Sequence, residues 1–97
     1  MTATEKLIKV INHEKVGNSF FYLYDRWRDE CKYEDINEYG KTLIGVINRN
    51  LPEYNVQLVS STKRPFGIKV RIDDVVFHIF AKIKGGYVVV SAKKVLK

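Results

Sequence analysis

The strongest candidate for chemistry in this sequence is a histidine, His78, in a segment rich in lysine. If residues 66–94 form antiparallel strands, His78 lies between Lys69 and Lys93 on one face of the sheet. Nearby cations disfavour protonation, so the imidazole would be neutral and able to accept a proton. A neutral imidazole beside lysines and Arg71 has the groups needed to cleave RNA without a metal ion. The alternative is a surface histidine that only adapts to its neighbours.

Two short turns predict how the strands that carry His78 are paired. Asp73-Asp74 and Gly85-Gly86 each fit a two-residue hairpin loop. With those loops, one face of the sheet pairs only apolar residues: Ile72 with Val75, Val70 with Phe77, Ile68 with Ile79, Phe66 with Ala81, Ile83 with Val88, Ala81 with Val90 and Ile79 with Ala92. The two turns therefore predict the same buried face independently.

The other face of the predicted sheet collects cations and two aromatic rings. Like charges directly opposite each other disfavour a sheet by roughly 0.2–1 kcal/mol per pair, and no acid is interspersed here. Aromatic rings among lysines are suited to stacking on bases, at about 1–3 kcal/mol per base. The predicted nucleic-acid-binding residues are Lys69, Arg71, His78, Phe80, Lys82, Lys84, Tyr87 and Lys93.

A structural interpretation of the same residues stays open. Surface lysines discourage sheets from aggregating, and a ring over a cross-strand glycine shields exposed backbone, as Phe80 would over Gly67. Neither role needs a ligand.

The net charge of +6 comes entirely from the second half of the chain. Residues 1–50 contain eight Lys/Arg and eight Asp/Glu, whereas residues 51–97 contain nine and three. Such asymmetry indicates an anionic partner. RNA or DNA is the first interpretation and an acidic protein the second.

Length and composition indicate one small domain over residues 1–97, because 45% of the residues are hydrophobic and no long linker divides them. No stretch approaches the ~20 apolar residues of a membrane span, so no membrane partner is expected. The single cysteine, Cys31, cannot form an internal disulfide, and no charged-then-apolar leader opens the sequence. A cytoplasmic protein is expected.

The first half of the chain reads as three helices. Thr2 and Glu5 have the spacing of a capping box before an apolar stripe of Leu7, Ile8, Val10 and Ile11. Residues 15–18 are predicted to end this helix at Gly17-Asn18, after which Ser19 would cap a second helix. The inward stripe of that second helix would be Phe20, Leu23, Tyr24, Trp27 and Cys31, with Tyr22 exposed. A third helix is predicted from about Asp35 to Arg49, with inward Ile36, Tyr39, Gly40, Leu43, Val46 and Ile47.

A short strand over residues 55–62 should join the sheet with Val56 and Leu58 pointing inward, and residues 60–65 should form a looser connection. The predicted architecture is therefore α+β, with about three N-terminal helices packed on one face of a three- to four-stranded antiparallel meander.

Metal and cofactor signatures are missing. His13-Glu14 lacks the second histidine of a zinc-binding helix, and Cys31, His13 and His78 lack the spacing of metal ligands. No glycine-rich phosphate loop is present. We therefore expect no metal and no cofactor.

In size, basicity and order of helices before a cationic antiparallel sheet, the chain resembles RelE-like ribonuclease toxins. Those proteins usually begin with a strand, whereas residues 1–14 here are predicted to be helical, and no motif of that family transfers residue by residue. Three hypotheses follow: a non-enzymatic nucleic-acid-binding module, a small interaction or inhibitor protein, and a metal-free ribonuclease with His78 as the base.

Overall fold

The computed structural model describes residues 1–30 and 35–95. In this part of the chain, helices pack on one face of an antiparallel four-stranded sheet whose strands follow each other in sequence order. This confirms the predicted α+β class. The elements are α1 (Ala3–Asn12), α2 (Glu14–Glu30), α3 (Ile36–Asn50), a 3₁₀ turn (Pro52–Tyr54), β1 (Gln57–Lys63), β2 (Phe66–Ile72), β3 (Val75–Lys84) and β4 (Tyr87–Lys94).

Helix α1 begins with the capping box that the sequence predicts. The Glu5 amide donates to the Thr2 hydroxyl, and the Thr2 amide donates to the Glu5 carboxylate, both at 3.1 Å. These bonds satisfy donors that the first helical turn leaves without partners. Leu7 and Val10 are buried, but Ile8 is exposed, so the apolar stripe of α1 is narrower than predicted.

The break between α1 and α2 lies at His13, and the predicted break at Gly17-Asn18 is wrong. His13 has an extended backbone, and its Nδ1 accepts the Lys15 amide at 3.2 Å, which caps the start of α2. Gly17 and Asn18 continue the helix. A helical glycine costs only about 1 kcal/mol relative to alanine, so burial of Val16 and Phe20 on the same helix outweighs it.

Replacing Gly17 with alanine is expected to stabilise the protein. The position lies inside α2, and nothing stands within 4 Å of the Cβ that alanine would add. The gain should be about 0.5–1 kcal/mol in the free energy of unfolding, because alanine has less backbone freedom to lose. Urea unfolding followed by circular dichroism measures it. A loss of stability would mean that the chain does break at Gly17.

Helix α3 matches its prediction closely. Asp35 caps it by accepting the Asn37 amide at 2.9 Å, and the helix ends at Leu51. Gly40 is buried where α3 meets β1, and a Cβ there would overlap the Ser61 hydroxyl. This close contact explains the glycine on the inward stripe.

Strand β1 lies closer to β2 in the sequence than predicted. It continues to Lys63, so the connection to β2 is only Arg64-Pro65, and the predicted loose connection over residues 60–65 is wrong. An irregularity between Leu58 and Ser60 shifts the register by one residue. Because one extra residue reverses the facing of every residue that follows it, Ser61 turns toward the helices and Thr62 toward the open face.

The two hairpins formed by β2, β3 and β4 have the predicted register. Asp73, Asp74, Gly85 and Gly86 all have positive φ, as tight two-residue hairpin loops require. Lys69 pairs with His78, and His78 pairs with Lys93. Most apolar residues of these strands alternate with that row and face the helices, but Ile83, predicted on the buried face, is 61% exposed near the second turn.

The core between helices and sheet is centred on the ring of Phe66. The rings of Phe20, Tyr24 and Tyr39 approach it edge-on, with centroids 5.6, 5.7 and 6.0 Å away. Such edge-to-face pairs contribute about 0.5–1.5 kcal/mol each beyond burial. This packing anchors the helices to the start of β2. The predicted inward position of Cys31 lies outside the described residues.

Tyr22 is 64% exposed, as its position opposite the buried stripe predicts, and Phe21 is also partly exposed. Among the described helices, none combines the length and the apolar composition that crossing a bilayer would demand.

Candidate functional site

The structure brings all eight predicted site residues to one face of the sheet. Strand residues alternate between faces, and the helices pack against the face that contains Val70, Phe77 and Ile79. The residues between them in sequence therefore lie on the opposite face, called here the cationic face. It contains Lys69 and Arg71 of β2, His78, Phe80, Lys82 and Lys84 of β3, and Tyr87 and Lys93 of β4.

Charge on the four strands has a single sign. Strand β1 contains one lysine, and β2, β3 and β4 contain two Lys/Arg each, whereas none of the four contains Asp or Glu. Within residues 1–30 and 35–95, no carboxylate forms an ion pair with Lys69, Lys82, Lys84 or Lys93. The sheet thus retains cations that its own fold does not neutralise.

His78 is the buried member of this face, with only 7% of its surface exposed. Its Nε2 lies 3.0 Å from the Thr62 hydroxyl oxygen, so the ring reaches across β2 to β1. The Thr62 hydroxyl donates its only proton to the Pro65 carbonyl at 2.8 Å. It must therefore accept from His78, which places the imidazole proton on Nε2 and leaves Nδ1 unprotonated.

The environment of His78 holds the pKa of its imidazole below the usual value. Burial is the main cause, and the charges of Lys69 and Lys93 act in the same direction. Both effects disfavour the imidazolium, so the ring is neutral near pH 7. The predicted neutral histidine between two lysines is consistent with this direction, although burial, which the sequence does not predict, is the larger cause.

The lowered pKa makes folding stability depend on pH. Protons bind the unfolded chain more readily, so the free energy of unfolding should fall as the pH drops through 6.5, the ordinary histidine pKa. His78→Gln keeps an amide donor for Thr62 and cannot titrate. Its stability should therefore fall less than that of the wild type between about pH 7.5 and 5.5. Urea unfolding at both pH values tests this, and equal losses in the two proteins would contradict it.

Phe80 lies next to His78 on the cationic face. The two ring centroids are 5.0 Å apart, and the Lys93 ammonium lies 6.0 Å from the centroid of Phe80. Phe80 is half-buried and pairs with Gly67 across the strands. Its ring therefore supports the buried histidine, which favours the shielding interpretation for much of its surface.

Tyr87 occupies the far end of the face and is 76% exposed. It pairs with Lys84 beside the Gly85-Gly86 turn. Six residues separate His78 from Lys84, which is roughly 20 Å along a strand. The exposed ring and the neighbouring lysine are therefore well separated from the buried histidine.

Arg71 is set apart from the other cations. It lines a different depression, together with Asp73 and Asp74. Two carboxylates in that depression make it a poorer place for an anion than the surface around Lys69 and Lys93.

A pocket at one end of the face contains two polar residues that the sequence did not predict. Thr62 and Arg64 form one wall, Lys69, His78 and Lys93 form the floor, and Lys94 and Val95 complete a lining around about 520 Å³. The sequence predicts a loose connection at Thr62 and Arg64, because the register shift in β1 leaves no clear strand alternation there. The Arg64-Pro65 pair between two strand-like runs was the available signal for a tight turn there.

Comparison of the chain with protein-family models, curated proteins and solved structures found no match to any of the three. Function is therefore inferred from the chemistry of the site alone.

Proposed function

We propose that this protein is a non-enzymatic module that binds single-stranded nucleic acid on its cationic face. The observation that supports this most is the row of Lys69, His78 and Lys93 across three strands, on strands without a single acid. A sheet that only had to fold would intersperse carboxylates among these lysines. Cations that have no acidic partner and lie on an open face are the electrostatic feature expected of a site for a polyanion.

Phosphates and bases would engage different parts of this face. Lys69 and Lys93 at one end, and Lys82 and Lys84 at the other, would contact phosphates along roughly 20 Å of sheet. Tyr87, whose ring is largely exposed, would stack on a base. The strands of the sheet are paired and its apolar face is packed. The sheet would therefore hold these groups in place, and its backbone would not have to become ordered on binding.

A ribonuclease centred on His78 receives less support from the geometry. A general base must reach the proton that it removes, at about 2.6–3.2 Å. The ring of His78 is almost fully buried, and its Nε2 is already bonded to Thr62. A neutral, buried, hydrogen-bonded imidazole is better suited to linking β3 to β1 across β2 than to contacting a 2′-hydroxyl of RNA.

Fluorescence anisotropy of labelled single-stranded RNA and DNA tests the proposal. For single strands, the logarithm of affinity should fall with the logarithm of salt concentration by about 0.7 per phosphate contact, so four lysine contacts give a slope of about −3. No binding at low salt, or affinity that does not change with salt, would rule the proposal out.

An acidic protein partner is the second interpretation, because the same cations would attract carboxylates. Affinity capture before and after nuclease treatment separates the two. Captured nucleic acid that nuclease removes agrees with the proposal, whereas an acidic protein that remains bound after nuclease treatment favours the second interpretation.

A further inference from the structure

The depression beside His78 on the cationic face is lined by cations without any acid, unlike the depression beside Arg71. The pocket beside His78 is bounded by the β1–β2 turn on one side and by the end of β4 on the other. Its volume of about 520 Å³ exceeds that of four other surface depressions, which range from about 140 to 380 Å³. Side chains of the β1–β2 turn and of all four strands gather around this one space.

We infer that this pocket receives a terminal phosphate monoester of a single-stranded nucleic acid, held by Arg64, Lys69 and Lys93. The inference rests on the proposed function and specifies the kind of strand end that is bound.

The charge of the pocket fits a terminal phosphate better than an internal one. Four cations line the pocket: Arg64 of the β1–β2 turn, Lys69 of β2, and Lys93 and Lys94 of β4. No residue of the lining is acidic, and no described carboxylate pairs with these cations. A phosphate monoester carries about −1.5 to −2 charges near pH 7, whereas an internal phosphodiester carries one. The monoester therefore neutralises more of this convergent charge.

The geometry of the cations also suits a single tetrahedral anion. Lys69 and Lys93 flank His78 in register on neighbouring strands, so their backbones are roughly 10 Å apart. Their flexible side chains can converge on one group from opposite sides, and an arginine offers two parallel donors from the turn. The Thr62 hydroxyl, bonded to His78 and Pro65, has no proton left to donate, so the cations supply the donors for the anion.

His78 supplies a reporter for occupancy of the pocket. Lys69 and Lys93 disfavour its imidazolium in the free protein, and a dianion bound between them would reverse that effect. Binding of a phosphate monoester should therefore raise the pKa of His78. The ring proton signals of His78 in NMR spectra follow this directly.

The test compares labelled single strands of one sequence with a 5′-phosphate, a 3′-phosphate or hydroxyls at both ends. A hydroxyl-ended strand two nucleotides longer adds two internal phosphates, which at least match the charge of the monoester, and so controls for charge alone. We expect one of the two phosphorylated strands to bind at least about tenfold more tightly than both hydroxyl-ended strands, which corresponds to about 1.4 kcal/mol. Equal affinities for all four strands would overturn the inference and leave the proposed function standing. No binding of any strand would overturn both.

Two variants locate the effect. Arg64 lies in an exposed turn. Arg64→Gln should remove the preference for the phosphorylated end and also the rise in the pKa of His78 on binding. Lys84→Gln, at the far end of the face, should weaken all strands by a similar factor and leave the preference intact. A preference that survives Arg64→Gln and disappears in Lys84→Gln would place the strand end elsewhere and contradict the assignment.

Discussion

Replacing both Lys69 and Lys93 with glutamate is expected to weaken binding of single-stranded nucleic acid by roughly 100-fold. Hydrogen bonds to charged groups contribute about 1.5–3 kcal/mol each when they are sheltered, and less in water. Two lost contacts and two introduced repulsions therefore cost about 3 kcal/mol, and each 1.4 kcal/mol is tenfold in affinity. The slope of the logarithm of affinity against the logarithm of salt concentration should also become less negative by about 1.4, because two phosphate contacts are removed. Anisotropy titrations over a salt series measure both quantities.

The matched control changes the net charge by the same amount, but on the helices instead of the sheet. Lys9→Glu and Lys15→Glu alter two exposed lysines of α1 and α2, with the same change of four charges in total. If the net charge of the protein determined affinity, both double variants would bind equally weakly. The helical variant should lose only the small part of its affinity that comes from long-range attraction, since exposed charges farther apart than about 10 Å are largely screened at 0.1 M salt. Circular dichroism confirms that each variant remains folded.

Gly67→Ala is expected to destabilise the protein by about 2–4 kcal/mol, which is a large part of the 5–15 kcal/mol typical of a small domain. A Cβ at this position would overlap the Ile79 carbonyl oxygen and come within 2.7 Å of the Phe80 Cα. Both obstacles are backbone atoms in the middle of a sheet, so neither can swing aside as a flexible side chain would. Strands β2 and β3 would have to separate below the His78 ring. Urea unfolding measures the loss.

Gly45→Ala is the matched control for this glycine. The position is exposed in the interior of α3, and nothing lies within 4 Å of the added Cβ. The same chemical change should there stabilise the protein by about 0.5–1 kcal/mol. Opposite signs at the two glycines are expected. A neutral effect of Gly67→Ala would show that β2 and β3 do not approach each other closely at this point.

The sheet was more predictable than its first strand because local rules determine its register. Two-residue turns with positive φ leave one pairing that puts most apolar residues of β2, β3 and β4 on one side. Strand β1 has no such turn signal before it, and its irregular register near Val59 hides the alternation. The orientation of Thr62 could therefore not be predicted, and neither could its bond to His78.

The helices show the same limit in another form. Their apolar stripes indicated which side is buried, and Asp35 was the correct start of α3. The position of the α1–α2 break depended on a competition between a helical glycine and the burial of its neighbours. Local propensity favoured Gly17-Asn18, whereas packing of Val16 and Phe20 favoured His13. Sequence alone does not give the size of that packing gain.

The burial of His78 was the least predictable feature of the site. Its position between two lysines on an open face indicated an exposed ring that could act on a substrate. The ring is covered because it reaches Thr62 on β1 and packs against Phe80. Contacts across strands that are distant in sequence determine its environment.

The most direct test of the cationic face is an NMR titration of the isotopically labelled protein with a short single-stranded oligonucleotide. Amide and side-chain signals of Lys69, Phe80, Lys84, Tyr87 and Lys93 should shift together and saturate at one affinity, while signals of the exposed surfaces of α1 and α3 stay in place. Shifts confined to the helical layer, or no shifts at low salt, would contradict the account.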